Sequence, residues 1–126
     1  MDWQIAPESP IYAQLAQKLR RGIASGLYGP GEKLPPVREL ALEAGVNPNT
    51  MQRALSELER EGLVFPQRTA GRFVTEDAQL ISRARETLAR EETRRYFSAM
   101  EDLGCSAGEI SRLAAEIAKE GHDAGT

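Results

Sequence analysis

Apolar residues along the chain fall first into runs of helical spacing, then into two short strand-like runs, then into helical spacing again. Ile11, Leu15, Leu19 and Ile23 recur every four residues with Ala16 beside them, which predicts an amphipathic helix. Ser9 is placed to cap it and Pro10 to take its first helical position, where a missing N–H costs nothing. After Ser25-Gly26 comes a stretch dense in turn formers, Tyr28-Gly29-Pro30-Gly31. Lys33-Leu34-Pro35-Pro36 is then extended, because residues before proline are pushed out of the α region. A short helix from Pro36 to Ala44 follows, with Val37, Leu40, Ala41 and Ala44 on one side and Gly45 as its stop. Asn47-Pro48 repeats the signal of cap and then proline, with Val46 spaced to pack on Met51. The helix so opened has an apolar stripe of Met51, Ala54, Leu55 and Leu58. Its opposite side carries Asn49, Arg53, Ser56 and Arg60, flanked by Gln52 and Glu57, and Gly62 closes it.

Leu63-Val64-Phe65 and Arg72-Phe73-Val74 are β-prone runs on either side of Pro66-Gln67-Arg68-Thr69-Ala70-Gly71, the pattern of a two-stranded hairpin. Three helices and a hairpin in this order make a winged helix-turn-helix. From Glu76 onward no strand signal remains, and Ile81, Ala84, Leu88, Tyr96, Ala99, Met100 and Leu103 fit a long helix interrupted by a charged middle, Arg90 to Arg95. Ser106-Ala107-Gly108-Glu109 has capping-box spacing and opens a last helix with the stripe Ile110, Leu113, Ala114 and Ile117. The tail, residues 122–126, is expected to fray. The expected fold is mainly α with a small β-hairpin. Residues 1–75 form a winged helix-turn-helix and residues 76–126 a two-helix dimerisation segment.

Composition narrows the function classes. A chain of 126 residues, 40% hydrophobic and 28% charged, suits one soluble domain with a short appendage. No apolar run approaches the ~20 residues of a membrane helix, and the N-terminus lacks the basic and apolar regions of an export signal, so a cytoplasmic location without membrane contact is expected. Cys105 stands alone and reads as a small, half-buried hydrophobe; with only His122 for company it offers no metal-ligand set, and no cofactor is expected. Nor is an enzyme: no nucleophile–base pair surrounds His122, no glycine-rich phosphate loop is present, and Glu91-Glu92 lies in a solvated charge run. A net charge of −3 argues at first against nucleic acid, but it is unevenly spread. Residues 1–75 hold nine Lys and Arg against eight Asp and Glu, whereas residues 76–126 hold seven against eleven.

The turn Ala44-Gly45-Val46-Asn47 sets two helices at a steep angle, so the second can lie in a DNA major groove with its first residues at the base edges. Asn47, Asn49 and Gln52 donate and accept, Thr50 suits a phosphate, and Arg38 or Arg53 can fork onto guanine. On an isolated helix these residues would be a polar outer face with caps. Their conjunction with Arg38 on the preceding helix and Arg68 and Arg72 on the hairpin points instead to duplex DNA. A winged helix that contacts proteins without specific DNA binding is the rival reading.

Pro10-Ile11-Tyr12, Gly29-Pro30-Gly31-Glu32-Lys33-Leu34-Pro35, Val37-Arg38-Glu39-Leu40-Ala41, Gly45-Val46-Asn47-Pro48-Asn49-Thr50, Leu58-Glu59-Arg60-Glu61-Gly62-Leu63 and Gly71-Arg72-Phe73-Val74 follow one another in a single order. In these motifs the chain resembles the GntR family of bacterial transcription regulators over residues 9–75. The resemblance implies operator contacts from Arg38, Asn47, Asn49, Thr50, Gln52, Arg53 and Gly71. Pro36 stands where a capping serine is usual, and Thr69-Ala70 replaces a glycine-lysine pair before Gly71, so Arg68 or Arg72 is expected to supply charge at the wing.

The tail is too short for the large effector domains of the best-known branches and resembles that of the YtrA-like branch. There, short helical tails are associated with dimerisation, and members often regulate transporter operons. Physical reasoning agrees, since an interrupted apolar stripe on two helices has too little partner surface unless another chain provides it. Ile81, Leu88, Tyr96, Met100, Leu103, Ile110, Leu113 and Ile117 are the expected homodimer interface; the alternative is that these helices fold back on the first helix as ordinary core. A dimer would read an inverted repeat, with repression by promoter occlusion as the simplest mechanism. Two helices cannot enclose a sizeable pocket alone, so a small-molecule effector, if one binds, belongs between subunits or beside Tyr96 and Met100.

Overall fold

A computed structural model describes residues 1–125, with side chains through residue 121. The tail expected to fray therefore lies outside the described side chains and, at Thr126, outside the described residues. Among the described residues, five helices and one two-stranded antiparallel sheet follow in the expected order.

α1 (Ile11–Ala24) begins one residue later than the Ser9-Pro10 signal implies: Pro10 is its N-cap, without a side-chain cap bond. Ser9 thus stands too early to cap, and Gln14 ties down the entering chain instead. Its side-chain amide accepts from the Ala6 N–H at 2.7 Å and donates to the carbonyls of Ala6 at 2.5 Å and Ser9 at 2.9 Å. α2 (Val37–Ala44) follows Pro36, again without a side-chain cap, and stops at Gly45, whose φ of 71° is a left-handed conformation that glycine adopts at little cost. α3 (Pro48–Arg60) starts as expected: the Asn47 side chain accepts from the Asn49 N–H at 2.8 Å.

β1 (Val64–Gln67) and β2 (Gly71–Val74) pair with Val64 opposite Val74, Phe65 opposite Phe73 and Gln67 opposite Gly71. The extended stretch before α2 joins the other edge of β2. The N–H of Leu34 donates to the Arg72 carbonyl at 2.9 Å, that of Val74 to Glu32 at 2.9 Å and that of Gly31 to Val74 at 3.0 Å. β1 is therefore an edge strand, the position where Pro66, lacking an N–H, is tolerated.

Contacts divide the chain into two compact units, Met1–Thr87 and the residues from Leu88 onward, whereas the expected division lies at residue 75. In the first unit α3 is central, packed by α1, α2 and β1. Leu15, Leu19, Ile23, Leu40, Met51, Leu55, Leu58, Leu63, Val64 and Val74 are fully buried there, and each large side chain contributes roughly 1.5–3 kcal/mol of transfer free energy. The first turns of α4 (Ala78–Asp102) complete this core: Ile81 is buried in it, with Leu80 and Ala84 half-buried against it. Asp77 caps α4 by accepting from the N–H groups of Gln79 and Leu80 at 3.0 and 3.2 Å. Arg85 in turn donates to the Ala24 carbonyl at the end of α1, at 3.0 Å, where a cation suits the helix dipole.

α4 runs unbroken through its charged middle, because Arg and Glu are good helix formers and Arg95 pairs with Glu92 one turn away at 2.5 Å. In the second unit α5 (Ala107–Gly125) opens on the expected reciprocal box, with Ser106 N–H donating to Glu109 at 3.1 Å and Glu109 N–H to Ser106 Oγ at 3.2 Å. Leu88 and Ile110 are this unit's buried large side chains among the described residues; Leu103, Ile117 and Tyr96 are exposed. No helix among the described residues is long and apolar enough to cross a membrane.

Candidate nucleic-acid interface

The buried stripe of α3, Met51, Ala54, Leu55 and Leu58, dictates what the opposite side presents. Asn49, Gln52 and Arg53 are exposed there, with Thr50 half-buried. Asn47 spends its side-chain oxygen on the cap and keeps its amide NH₂ for other work. One turn of chain earlier, Arg38 is exposed on α2 and makes no hydrogen bond or ion pair among the described residues. Other cations of the unit are committed. Arg20 donates to Glu61 through Nε at 2.8 Å and Nη2 at 2.5 Å, and Arg60 pairs with Glu57 at 2.8 Å.

The expected wing cations separate into two kinds. Arg68 is exposed and unpaired among the described residues. Arg72 points the other way: its Nε lies 2.6 Å from Glu59 Oε1, and the pair fastens the hairpin to α3 with the Arg72 side chain only 19% exposed. At the tip Thr69 takes a φ of 61°, a left-handed conformation unusual for a β-branched residue. Gly71 has a φ of 101°, and a Cβ there would sit 3.1 Å from Lys33 Cε. The wing glycine thus makes room for a lysine from the stretch before α2.

Two residues of this surface were not singled out by spacing alone. Lys33 reaches the wing because residues 31–34 pair with β2, a long-range contact that no local pattern announces. Tyr12 sits on α1, and the Arg53 guanidinium carbon lies 3.6 Å from the centroid of its ring. Near the start of the same stretch, burial and then the carboxylates Glu43 and Glu32 raise the Tyr28 phenol above its ordinary pKa, which keeps it neutral.

The expected tail residues fall into three groups. Ile81 lies in the core of the first unit; Leu88 and Ile110 are buried within the second. Met100 and Leu113 are half-buried, and Tyr96, Leu103 and Ile117 are exposed at 39%, 78% and 61%.

Residues 11–74 match the family of bacterial regulatory proteins called the gntR family. Over 110 residues the chain is 38% identical to YhcF, an HTH-type transcriptional regulator of Bacillus subtilis (strain 168), which covers 87% of this chain and 91% of YhcF. The HTH-type transcriptional repressor YtrA of the same organism is 45% identical over 78 residues, 60% of each chain. Among solved structures, a GntR family transcriptional regulator from Listeria monocytogenes superposes with a TM-score of 0.78 at 34% identity, covering 89% of this chain and 98% of the other. The DNA-binding domain of AraR in complex with operator ORX1 superposes at 0.53 and 30% identity, over 57% of this chain and 92% of that one. With the match running from the first helix to the end of the wing, the chain is a member of the gntR family and a DNA-binding transcriptional regulator.

Proposed function

We propose that this regulator is a cytoplasmic repressor that binds an inverted-repeat operator as a homodimer, with a transporter operon as its target. One observation carries the reading. Arg38, Asn49, Gln52 and Arg68 present exposed, unpartnered donors among the described residues, in a unit whose Arg20, Arg60 and Arg72 are ion-paired. Uncommitted donors beside the first turns of a capped helix are what phosphates and base edges require. In this reading Arg38 and Arg53 fork onto guanine, and Asn49 and Gln52 read neighbouring base edges. The Asn47 amide and Thr50 hold phosphates. Gly71 lets the wing backbone approach the duplex, Arg68 and Lys33 supply its charge, and Arg72 holds the wing against α3. The AraR domain bound to its operator, and the repressor YtrA, support the assignment by likeness.

Dimerisation rests on the second unit, where Tyr96, Leu103 and Ile117 are exposed apolar side chains flanked by half-buried Met100 and Leu113. A second copy would cover them and extend the small buried set of Leu88 and Ile110. Two recognition helices would then address half-sites about one turn, ~10 base pairs, or a multiple of it apart, and occupancy would block a promoter. A small-molecule effector would act beside Tyr96 and Met100, where it could bias the dimer.

The test is fluorescence anisotropy on the chain's own upstream promoter fragment against scrambled DNA at several salt concentrations. Preferential binding that Arg38→Ala removes is expected. Equal binding to both fragments, unchanged in Arg38→Ala, would favour a winged helix that contacts proteins and overturn the proposal.

A further inference from the structure

Arg53 lies four residues after Asn49 and one after Gln52, so the three share the exposed side of α3. Unlike Arg38 and Arg68, it is held. Its guanidinium carbon stands over the Tyr12 ring, 3.6 Å from the ring centre, well within the reach of a cation–π contact. Tyr12 is itself half-buried in α1, and α1 packs directly on α3, so the ring is a fixed platform. The geometry points to Tyr12 as a positioning residue for DNA recognition, one that reaches base readout only through Arg53. This inference rests on the DNA-binding reading above and assigns a role to a residue outside the helix-turn-helix pair.

Stacking uses the face of a guanidinium and leaves its edge open. All five N–H groups lie in the plane, so an arginine lying on a ring can still fork onto two acceptors such as guanine O6 and N7. Meanwhile the ring removes rotamer freedom that a free arginine would lose only on binding, and it favours the cation electrostatically. Lysine cannot replace arginine in this arrangement, because its ammonium has neither the plane nor the fork. Phenylalanine can replace tyrosine, because the attraction belongs to the ring and no hydrogen bond of the Tyr12 hydroxyl enters it. The pair also explains why Arg53 is the one arginine on the recognition face of α3 that ends on an aromatic ring, while Arg60, further along the helix, ends on Glu57.

A double-mutant cycle on the full chain tests this, using promoter and scrambled fragments, with thermal melting of each variant as the folding control. Tyr12→Phe should bind the promoter as the wild type does. Tyr12→Leu should bind it about 3- to 5-fold more weakly, the fold-change of an exposed cation–π contact, with little change on scrambled DNA. In an Arg53→Ala background Tyr12→Leu should have no further effect. Arg53→Lys, which leaves Tyr12 and the charge in place, should lose as much promoter preference as Tyr12→Leu or more, and this arm stands even if Tyr12→Leu fails to fold. Tighter binding by Tyr12→Leu would mean that the ring parks Arg53 away from DNA, and it would overturn the proposal. So would equal losses from Tyr12→Leu in the presence and absence of Arg53. If Arg38→Ala lowers promoter binding while Tyr12→Leu and Arg53→Lys do not, the inference about Tyr12 alone fails. If Arg38→Ala also has no effect, the DNA-binding reading fails with it.

Discussion

α3 and α5 both open on a side-chain cap, and both carry four apolar residues along one stripe. In α3 the four, Met51, Ala54, Leu55 and Leu58, are at most 1% exposed, because α1, α2 and β1 close around them. In α5 only Ile110 is fully buried; Leu113 is half-buried, and Ala114 and Ile117 face outward. An amphipathic pattern states that a face needs covering and is silent on what covers it. For α3 the partners are elements of the same unit. For the outer part of the α5 stripe, Ala114 and Ile117, no cover is found among the described residues, which is the physical ground for the proposal that a second copy supplies it.

Truncation should separate the two stripes most sharply. Leu55→Ala, at a packed site, is expected to cost ~2–5 kcal/mol in chemical denaturation, a large share of the ~5–15 kcal/mol typical of a domain. Ile117→Ala in dilute protein, below any concentration at which the proposed dimer would form, should cost well under 1 kcal/mol, since an exposed side chain leaves no cavity. Comparable losses from the two variants under those conditions would mean that α5 is covered within its own chain, and the comparison would collapse.

A smaller effect is expected from charge placed on another exposed apolar side chain of the second unit, Leu103 in the turn between α4 and α5. Leu103→Glu should weaken self-association at least ~10-fold, or about 1.4 kcal/mol, in sedimentation velocity over a concentration series, while leaving the melting of the first unit unchanged. A wild-type chain that sediments as a monomer at micromolar concentration would remove the dimer and return the exposed face of α5 to ordinary surface.

The same contrast governs how much was legible in the sequence. Every local signal of α3 is realised: cap, proline, stripe and polar face all refer to residues within a few positions of one another. The capping box of α5 is equally local and equally realised. Apart from Ser9, whose replacement by Gln14 is itself local, what sequence reasoning missed involves contacts between more distant segments. Ser9 reads as a cap, but the chain before α1 is held by Gln14 from inside the helix. Arg72 reads as a free wing cation, but Glu59 on α3 claims it. Ile81, beyond the division expected at residue 75, finds its place in the first core. Lys33 and Tyr12 entered the site only once the pairing of residues 31–34 with β2 and the stacking of α1 on α3 were visible.

Lys33 gives the next prediction, smaller again. If its ammonium meets a phosphate beside Gly71, Lys33→Ala should lower the slope of log affinity against log salt by about 1 and weaken promoter and scrambled DNA alike. A loss confined to the promoter would instead make Lys33 a base reader, and an unchanged slope would place it off the DNA.

The least effect, and the most local, belongs to the start of α5. The Ser106 backbone N–H, then the Ser106 side chain, and to a lesser degree Arg112, hold the Glu109 carboxyl below its ordinary 4.5. The sign follows from linkage. A carboxyl more acidic in the folded state contributes stability that is fully present above its unfolded value, and that stability is lost as pH falls through the folded value. Fraying of α5 should therefore begin only below about pH 4.5, while α3, whose cap Asn47 has no titratable group, is untouched by this effect. Following the Glu109 carboxyl by NMR should give a midpoint below 4.5 in the wild type. Ser106→Ala should move it part of the way back, since the backbone donor remains. A wild-type midpoint at or above 4.5 would mean that the box is open in solution. The start of α5 would then owe its order to a partner, as its exposed stripe is proposed to do.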